Sequence, residues 1–310
     1  MLDATSGAKL GARRVRSRRR TLKARRFREN ERQLTGPAVG FTYGDGMPPS
    51  IQGFTVTAGQ GVELRCYDTG GSGPNVVILH GLAGNAREFF PTAAGLPECR
   101  TVLVDQRGHG ASTRHPRDVS RADYVSDVVR VLEAVGPPAA LVGQSMGGHT
   151  AMLVAAARPD LVSRLVLLEA DAGGGRAEDR AAMGDYFRSW PVPFPSRAAA
   201  QAFLGDAPLA LAWAADLEER DGGFWPRFDA DVMVAAISAV AVPRWGEWES
   251  VAVPTLVAYG EAGMFDEAGK AGFVRRGRNA TRVDLPGASH DAHLDCFGPW
   301  MAALRGFVLP

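Results

Sequence analysis

The sequence predicts an α/β protein built on a central, mostly parallel sheet with helices on both faces. Continuous apolar runs that end in glycine or a turn, NVVILHG (75–81), TVLVDQRGHG (101–110) and AALVG (139–143), read as strands buried on both faces. Helical patterns fall between such runs, as in RADYVSDVVRVLEAV (121–135), where Tyr124, Val128, Val131, Leu132 and Val135 recur at helical spacing before Gly136-Pro137 stops them. A chain of 310 residues with 45% hydrophobic content can bury one large core, or a core with an inserted lobe.

Taken in order, GFTVTAGQGVELRCYD (53–68) places two runs of β-formers around Ala58-Gly59-Gln60-Gly61 and reads as a hairpin. The strands at 75–81 and 101–110 follow, then the helix at 121–135 and the strand at 139–143. Next come a helix over MGGHTAMLVAAARP (146–159) and strands over RLVLLE (164–169), TLVAYG (255–260) and TRVDLP (281–286). Strands alternating with helices imply right-handed crossovers and put ligands at the carboxyl ends of the strands. The rhythm breaks between Glu169 and Thr255, where 85 residues intervene. They include a helical pattern over 197–220, the turn-rich WPVPFP (190–195), and Trp213, Trp225, Trp245 and Trp248. So long an insertion is expected to be a helical cap over the ligand edge rather than a loop. The expected layout is a basic arm over 1–35, a core over 36–171 and 250–310, and the cap over 172–249.

The net charge of +1 conceals an asymmetry. Residues 1–35 hold twelve Lys/Arg against three acids, whereas the other 275 residues hold 23 basic and 31 acidic groups. Such an arm is expected to be solvated and unpacked. It is the one part suited to nucleic acid. Arginine is favoured throughout, however, with 32 beside three lysines, so nucleic acid is not the expected partner. No run approaches the roughly 18 apolar residues needed to cross a bilayer, and no apolar segment follows Arg13-Arg14 as an export signal would require. Cys66, Cys99 and Cys296 are too far apart for a metal-ligand spacing and odd in number. A soluble, cytoplasmic protein acting on a small molecule is expected, with no membrane partner; oligomeric state is not readable.

The stretch LVGQSMGGHT (141–150) puts Ser145 between Val142-Gly143, which end a buried strand, and Met146-Gly147-Gly148, which begin a helix. G-x-S-x-G alone recurs by chance. With a strand before it and a helix after it, it reads as a nucleophile elbow, a tight turn that lifts the hydroxyl above the sheet and aims it at the positive end of the helix. A serine needs a base. His80, His109 and His115 precede the turn and His149 lies on its helix, whereas His290, in DLPGASHDAHLD (284–295), follows the last strand at the same edge. His290 is preferred over His293, which is expected to cap a helix or line the cleft. A metal reading of His290, Asp291, His293 and Asp295 lacks any supporting motif, and no metal or cofactor is expected. Donors for a developing oxyanion are expected in the Met146 N–H and, from the loop His80-Gly81-Leu82-Ala83-Gly84, the Leu82 N–H.

These segments together resemble the α/β-hydrolases. VVILHGLAGNAREFFP, VLVDQRGHGAST, LVGQSMGGHTAMLVAAARPDLVSRLVLLE, PTLVAYGE and LPGASHDAHL each match a family segment in family order, over roughly residues 53–308. The resemblance implies an eight-stranded sheet, a helical cap between strands six and seven, and a Ser–acid–His triad without a cofactor. The serine separates the chain from dehalogenases and epoxide hydrolases that use an aspartate nucleophile. The family's acid usually follows strand seven in a stretch like G-E-x-D, and here that stretch is Gly260-Glu261-Ala262-Gly263, with glycine where the aspartate would stand. Some members place the acid after strand six, which points first to Glu169; Glu261, Asp171 and Asp266 remain the alternatives.

The expected activity is hydrolysis of an ester or thioester of a small, partly apolar substrate through an acyl-enzyme. Acyl transfer or C–C bond hydrolysis on the same triad, and a non-catalytic binding protein that lost its acid, are the rival readings.

Overall fold

The computed structural model describes residues 51–309. The basic arm expected over 1–35, and the first residues of the core expected from 36, lie outside them. Among the described residues, eight strands form one sheet: β1 (Gln52–Thr57), β2 (Glu63–Asp68), β3 (Asn75–Leu79), β4 (Arg100–Val104), β5 (Ala139–Gln144), β6 (Val162–Leu168), β9 (Thr255–Gly260) and β10 (Ala280–Leu285). A separate hairpin, β7 (Glu218–Arg220) and β8 (Gly223–Trp225), falls within the long insertion. The spatial order is β1-β2-β4-β3-β5-β6-β9-β10, and every pairing is parallel except those made by β2. The expected α/β architecture and eight-stranded sheet are what the chain adopts.

The apolar runs explain the layering. In β3, Val77 and Leu79 join one core cluster while Val76 and Ile78 join the cluster on the opposite face. Leu165 and Leu167 against Val166 and Leu168 repeat that division in β6. Successive side chains point to opposite faces, so a strand covered on both sides must be apolar at every position. One cover contains α2 (Arg121–Val135) and α3 (Met146–Ala157), through Val128, Leu132 and Met152. The other contains α1 (Phe90–Ala94), preceding α2, and the last helix, through Phe90, Trp300 and Leu304.

The segment between β6 and β9 holds α4 (Ala177–Arg188), α5 (Arg197–Leu204), α6 (Pro208–Asp216), α7 (Ala230–Val240) and α8 (Trp245–Ser250), besides the small hairpin. Trp248 of α8 already packs in the sheet's core. The single helical pattern read over 197–220 is in fact two helices and a strand. Gly205, at φ +95°, ends α5, and Pro208 opens α6, because proline suits a first helical turn but not a helix interior. Three further helices complete the chain, α9 (Glu267–Arg276), α10 (Ala292–Asp295) and α11 (Phe297–Val308). Among the described residues, no helix is long and apolar enough to cross a membrane.

Candidate active site

Ser145 occupies the turn from β5 into α3 with φ +52° and ψ −118°, a backbone conformation that side-chain-bearing residues rarely adopt. Its N–H donates to the Leu168 carbonyl (2.9 Å) and its carbonyl accepts from the His149 N–H (3.0 Å), so neighbouring elements hold the strained residue from both sides. The flanking glycines are obligatory. A Cβ on Gly143 would stand 2.3 Å from the Gly147 carbonyl oxygen, and one on Gly147 would stand 2.4 Å from that of His80.

His290 lies in the loop between β10 and α10, and its Nδ1 is 3.1 Å from Glu169 Oε2. A proton on Nδ1 directed at that carboxylate leaves the Nε2 lone pair as the acceptor. Glu169, 1% exposed, also accepts from the Gly260 N–H (2.8 Å) and the Met264 N–H (2.9 Å). The carboxylate is therefore fixed at both oxygens. The buried Gln144, next to Ser145, donates to the His290 carbonyl (3.2 Å) and Asp291 Oδ1 (3.3 Å). This tie draws the histidine loop to the serine turn. Nothing in the sequence distinguished Gln144 from any other polar residue at a strand end.

The other three candidate acids are engaged locally. Glu261 accepts from the Gly287 N–H (2.9 Å), Asp171 from the Gly173 N–H (2.8 Å), and Asp266 caps α9 through the Gly269 N–H (2.7 Å). Gly263 explains the departure from the family's usual stretch: a Cβ there would lie 2.1 Å from Glu169 Oε1. The space a side chain at 263 would enter is filled by the Glu169 carboxylate.

The loop after β3 is held by His80. Its Nδ1 pairs with the Gly81 carbonyl (2.7 Å), its Nε2 accepts from the Gln106 N–H (3.0 Å), and Gln106 Nε2 returns a bond to the His80 carbonyl (2.7 Å). Among the described residues, neither the Leu82 nor the Met146 N–H has a hydrogen-bond partner, and the two side chains meet in one cluster with Tyr124, Ala236 and Val240. The insertion grips this loop directly: Trp213 Nε1 donates to the Ala83 carbonyl (2.9 Å), and Phe187, Trp190 and Phe228 pack around it.

Beneath the loop lies a buried acid that sequence reading missed. Burial, with Asp291 nearby, pushes the Glu88 carboxyl up to about 8, and burial pulls the His293 imidazole down to about 4. Their polar atoms are 3.7 Å apart, and His293 stacks on Phe89 at 4.2 Å. His293 thus sits inside the core rather than capping a helix or lining the cleft. Between its ordinary value of 4.5 and about 8, Glu88 keeps a proton in the folded chain that the unfolded chain has lost, so its contribution to stability falls across that interval as pH rises. Glu88→Gln, which needs no such proton, is expected to gain several degrees in melting temperature over the parent at pH 8 and little at pH 5. Thermal melts at both pH values check this, and an equal difference at the two would refute it.

Among the described residues, no three His, Cys, Asp or Glu side chains gather where they could hold a metal ion. Comparison with known proteins adds a family and several relatives. A profile of the alpha/beta hydrolase fold matches residues 74–295. The chain is 30% identical over 253 residues to a sn-1-specific diacylglycerol lipase of Mus musculus, covering 76% of this chain and 81% of the relative. It is 27% identical over 239 residues to a 2-(acetamidomethylene)succinate hydrolase of Mesorhizobium japonicum, covering 71% and 82%. The crystal structure of E-2-(acetamidomethylene)succinate hydrolase superposes with a TM-score of 0.76 at 25% identity, over 83% of this chain and 99% of the other.

Proposed function

We propose, from the premise that the chain belongs to the α/β-hydrolase family of enzymes, that it is a serine hydrolase of small esters or thioesters with Ser145, His290 and Glu169 as its triad. One observation carries the assignment: His290 is oriented by the fully buried Glu169, in a loop tied through Gln144 to the strained turn that presents Ser145. Ser145 Oγ attacks the carbonyl carbon while its proton passes to His290 Nε2. The oxyanion that forms is received by the Leu82 and Met146 N–H groups, which have no other acceptor among the described residues, at the positive end of α3. The tetrahedral intermediate collapses, the alkoxide or thiolate takes the proton from Nε2, and an acyl-enzyme remains. Water repeats the sequence and releases the acid. Glu169 stabilises the imidazolium in both halves.

Residues 172–249 serve as the cap, and its aromatic cluster supports a partly apolar substrate. The relatives' activities, those of a diacylglycerol lipase and a 2-(acetamidomethylene)succinate hydrolase, support hydrolysis while sharing no single substrate. The three free cysteines support a reducing, cytoplasmic setting. The experiment is labelling of the purified protein by a fluorophosphonate probe, followed by peptide mapping. A stoichiometric adduct on Ser145 is expected; an unlabelled protein would refute the assignment, since an unactivated serine does not react.

A further inference from the structure

Arg121, the first residue of α2, is 4% exposed, yet no carboxylate pairs with it among the described residues. Its guanidinium lies over the Tyr124 ring (4.5 Å) and Nη2 donates to Thr150 Oγ1, while Nε and Nη1 have no hydrogen-bond partner among the described residues. The contrast with Arg107 is informative. That buried arginine takes Asp127 (2.6 Å) and Asp123 (2.7 Å) of α2, and the helix's third acid, Glu133, pairs with Arg158, so none is left for Arg121. Burial lowers the Arg121 pKa only to about 10, so it stays a cation at neutral pH. A buried charge is retained when it is paired or when something else compensates it.

Beside it stands His149, 2% exposed, whose ring nitrogens make no hydrogen bond of good geometry among the described residues, although the ring faces the Ala172 backbone. Burial and the proximity of Arg121 and Arg244 hold this imidazole at about 3, so it is neutral. Arg244, on the insertion, is already paired with Glu247. The insertion passes this cluster as Gly173-Gly174-Gly175, all three at positive φ, and a Cβ on Gly173 would come within 2.9 Å of His149 Nε2. Only backbone fits at Gly173, whereas Gly174 and Gly175 face open space.

The cluster adjoins the serine. His149 is four residues beyond Ser145, about 6 Å along the axis of α3, and Thr150, which receives the Arg121 bond, donates to the Met146 carbonyl (3.0 Å). One uncompensated cation with a neutral imidazole matches a single negative charge. We propose that Arg121 and His149 bind a carboxylate carried on the far end of the acyl group, so that the preferred substrate is a monoester or monothioester of a short dicarboxylic acid. This rests on the serine-hydrolase reading of Ser145 and narrows its substrate class.

The test compares monoethyl glutarate with ethyl pentanoate, two esters of similar length, by pH-stat titration on the full chain. The parent is expected to favour the anionic ester by about tenfold or more in kcat/KM, the scale of one charge-assisted hydrogen bond. In Arg121→Met that ratio is expected to fall towards one, with the loss in KM. A binding arm needs no turnover: millimolar glutarate raises the melting temperature of the parent and not of Arg121→Met. A parent that hydrolyses ethyl pentanoate as well as monoethyl glutarate, or is not stabilised by glutarate, overturns the carboxylate site while leaving the hydrolase reading intact. Absence of turnover on both esters with no fluorophosphonate labelling overturns the hydrolase reading, and the glutarate melt then decides the carboxylate site by itself.

Discussion

Ser145→Ala is expected to abolish ester turnover, lowering kcat by about 10⁴ to 10⁶, while the protein folds and melts as the parent does. Alanine fits the same turn, and among the described residues the Ser145 side chain makes no hydrogen bond on which stability could depend, so the loss isolates the chemical step. Background from the proposed oxyanion donors and from substrate binding is expected to set the residual rate. The measurement is steady-state hydrolysis of p-nitrophenyl butyrate beside a thermal melt. Turnover within tenfold of the parent, with an unchanged melt, would remove Ser145 from the mechanism.

Glu169→Gln is the second large effect, with kcat expected to fall by about 10³ to 10⁴ and KM nearly unchanged. The carboxylate faces three donors, the N–H groups of Gly260 and Met264 and the Nδ1 of His290. A carboxamide has only one acceptor oxygen, so in either orientation its NH₂ faces a donor, Gly260 N–H on one side or Met264 N–H and His290 Nδ1 on the other. If it faces His290, it favours the tautomer with the proton on Nε2, which cannot take a proton from serine. A companion pair of variants tests the competition for space at Gly263. Gly263→Asp alone is expected to be inactive and destabilised, because its side chain meets the Glu169 carboxylate. Glu169→Gly combined with Gly263→Asp is expected to regain part of the activity. Kinetics of the four proteins give the answer, and a fully active Glu169→Gln would move the orienting role elsewhere.

The sheet was legible because burial on two faces leaves a strand no choice but continuous apolar sequence, as in NVVIL and RLVLLE. The half-exposed β10 was legible through its flanking turns. The break at Gly205–Pro208 was written in the chain, but the helical periodicity on either side of it masked it. The proposed serine and histidine could be picked out from sequence because each sits beside a glycine-punctuated strand end whose local constraints show in short stretches. The acid was readable only as a ranking: the resemblance pointed first to Glu169 among four carboxylates at the right edge, and what sets Glu169 apart is its contact with His290, 121 residues further along the chain. Glu88, Gln144 and Arg121 escaped notice for a related reason. A polar residue buried by its neighbours looks, in sequence, the same as one in water.

The indole N–H of Trp213 on the Ala83 carbonyl couples two matters usually treated separately. If the lobe that carries this tryptophan swings outward, it must either break that bond or drag residue 83, and with it the adjacent peptide of residue 82, out of register. Admission of a bulky guest and alignment of the amide that would steady its reacting oxygen then become opposing demands. Selection by size would be enforced at the chemical step, not only at the doorway.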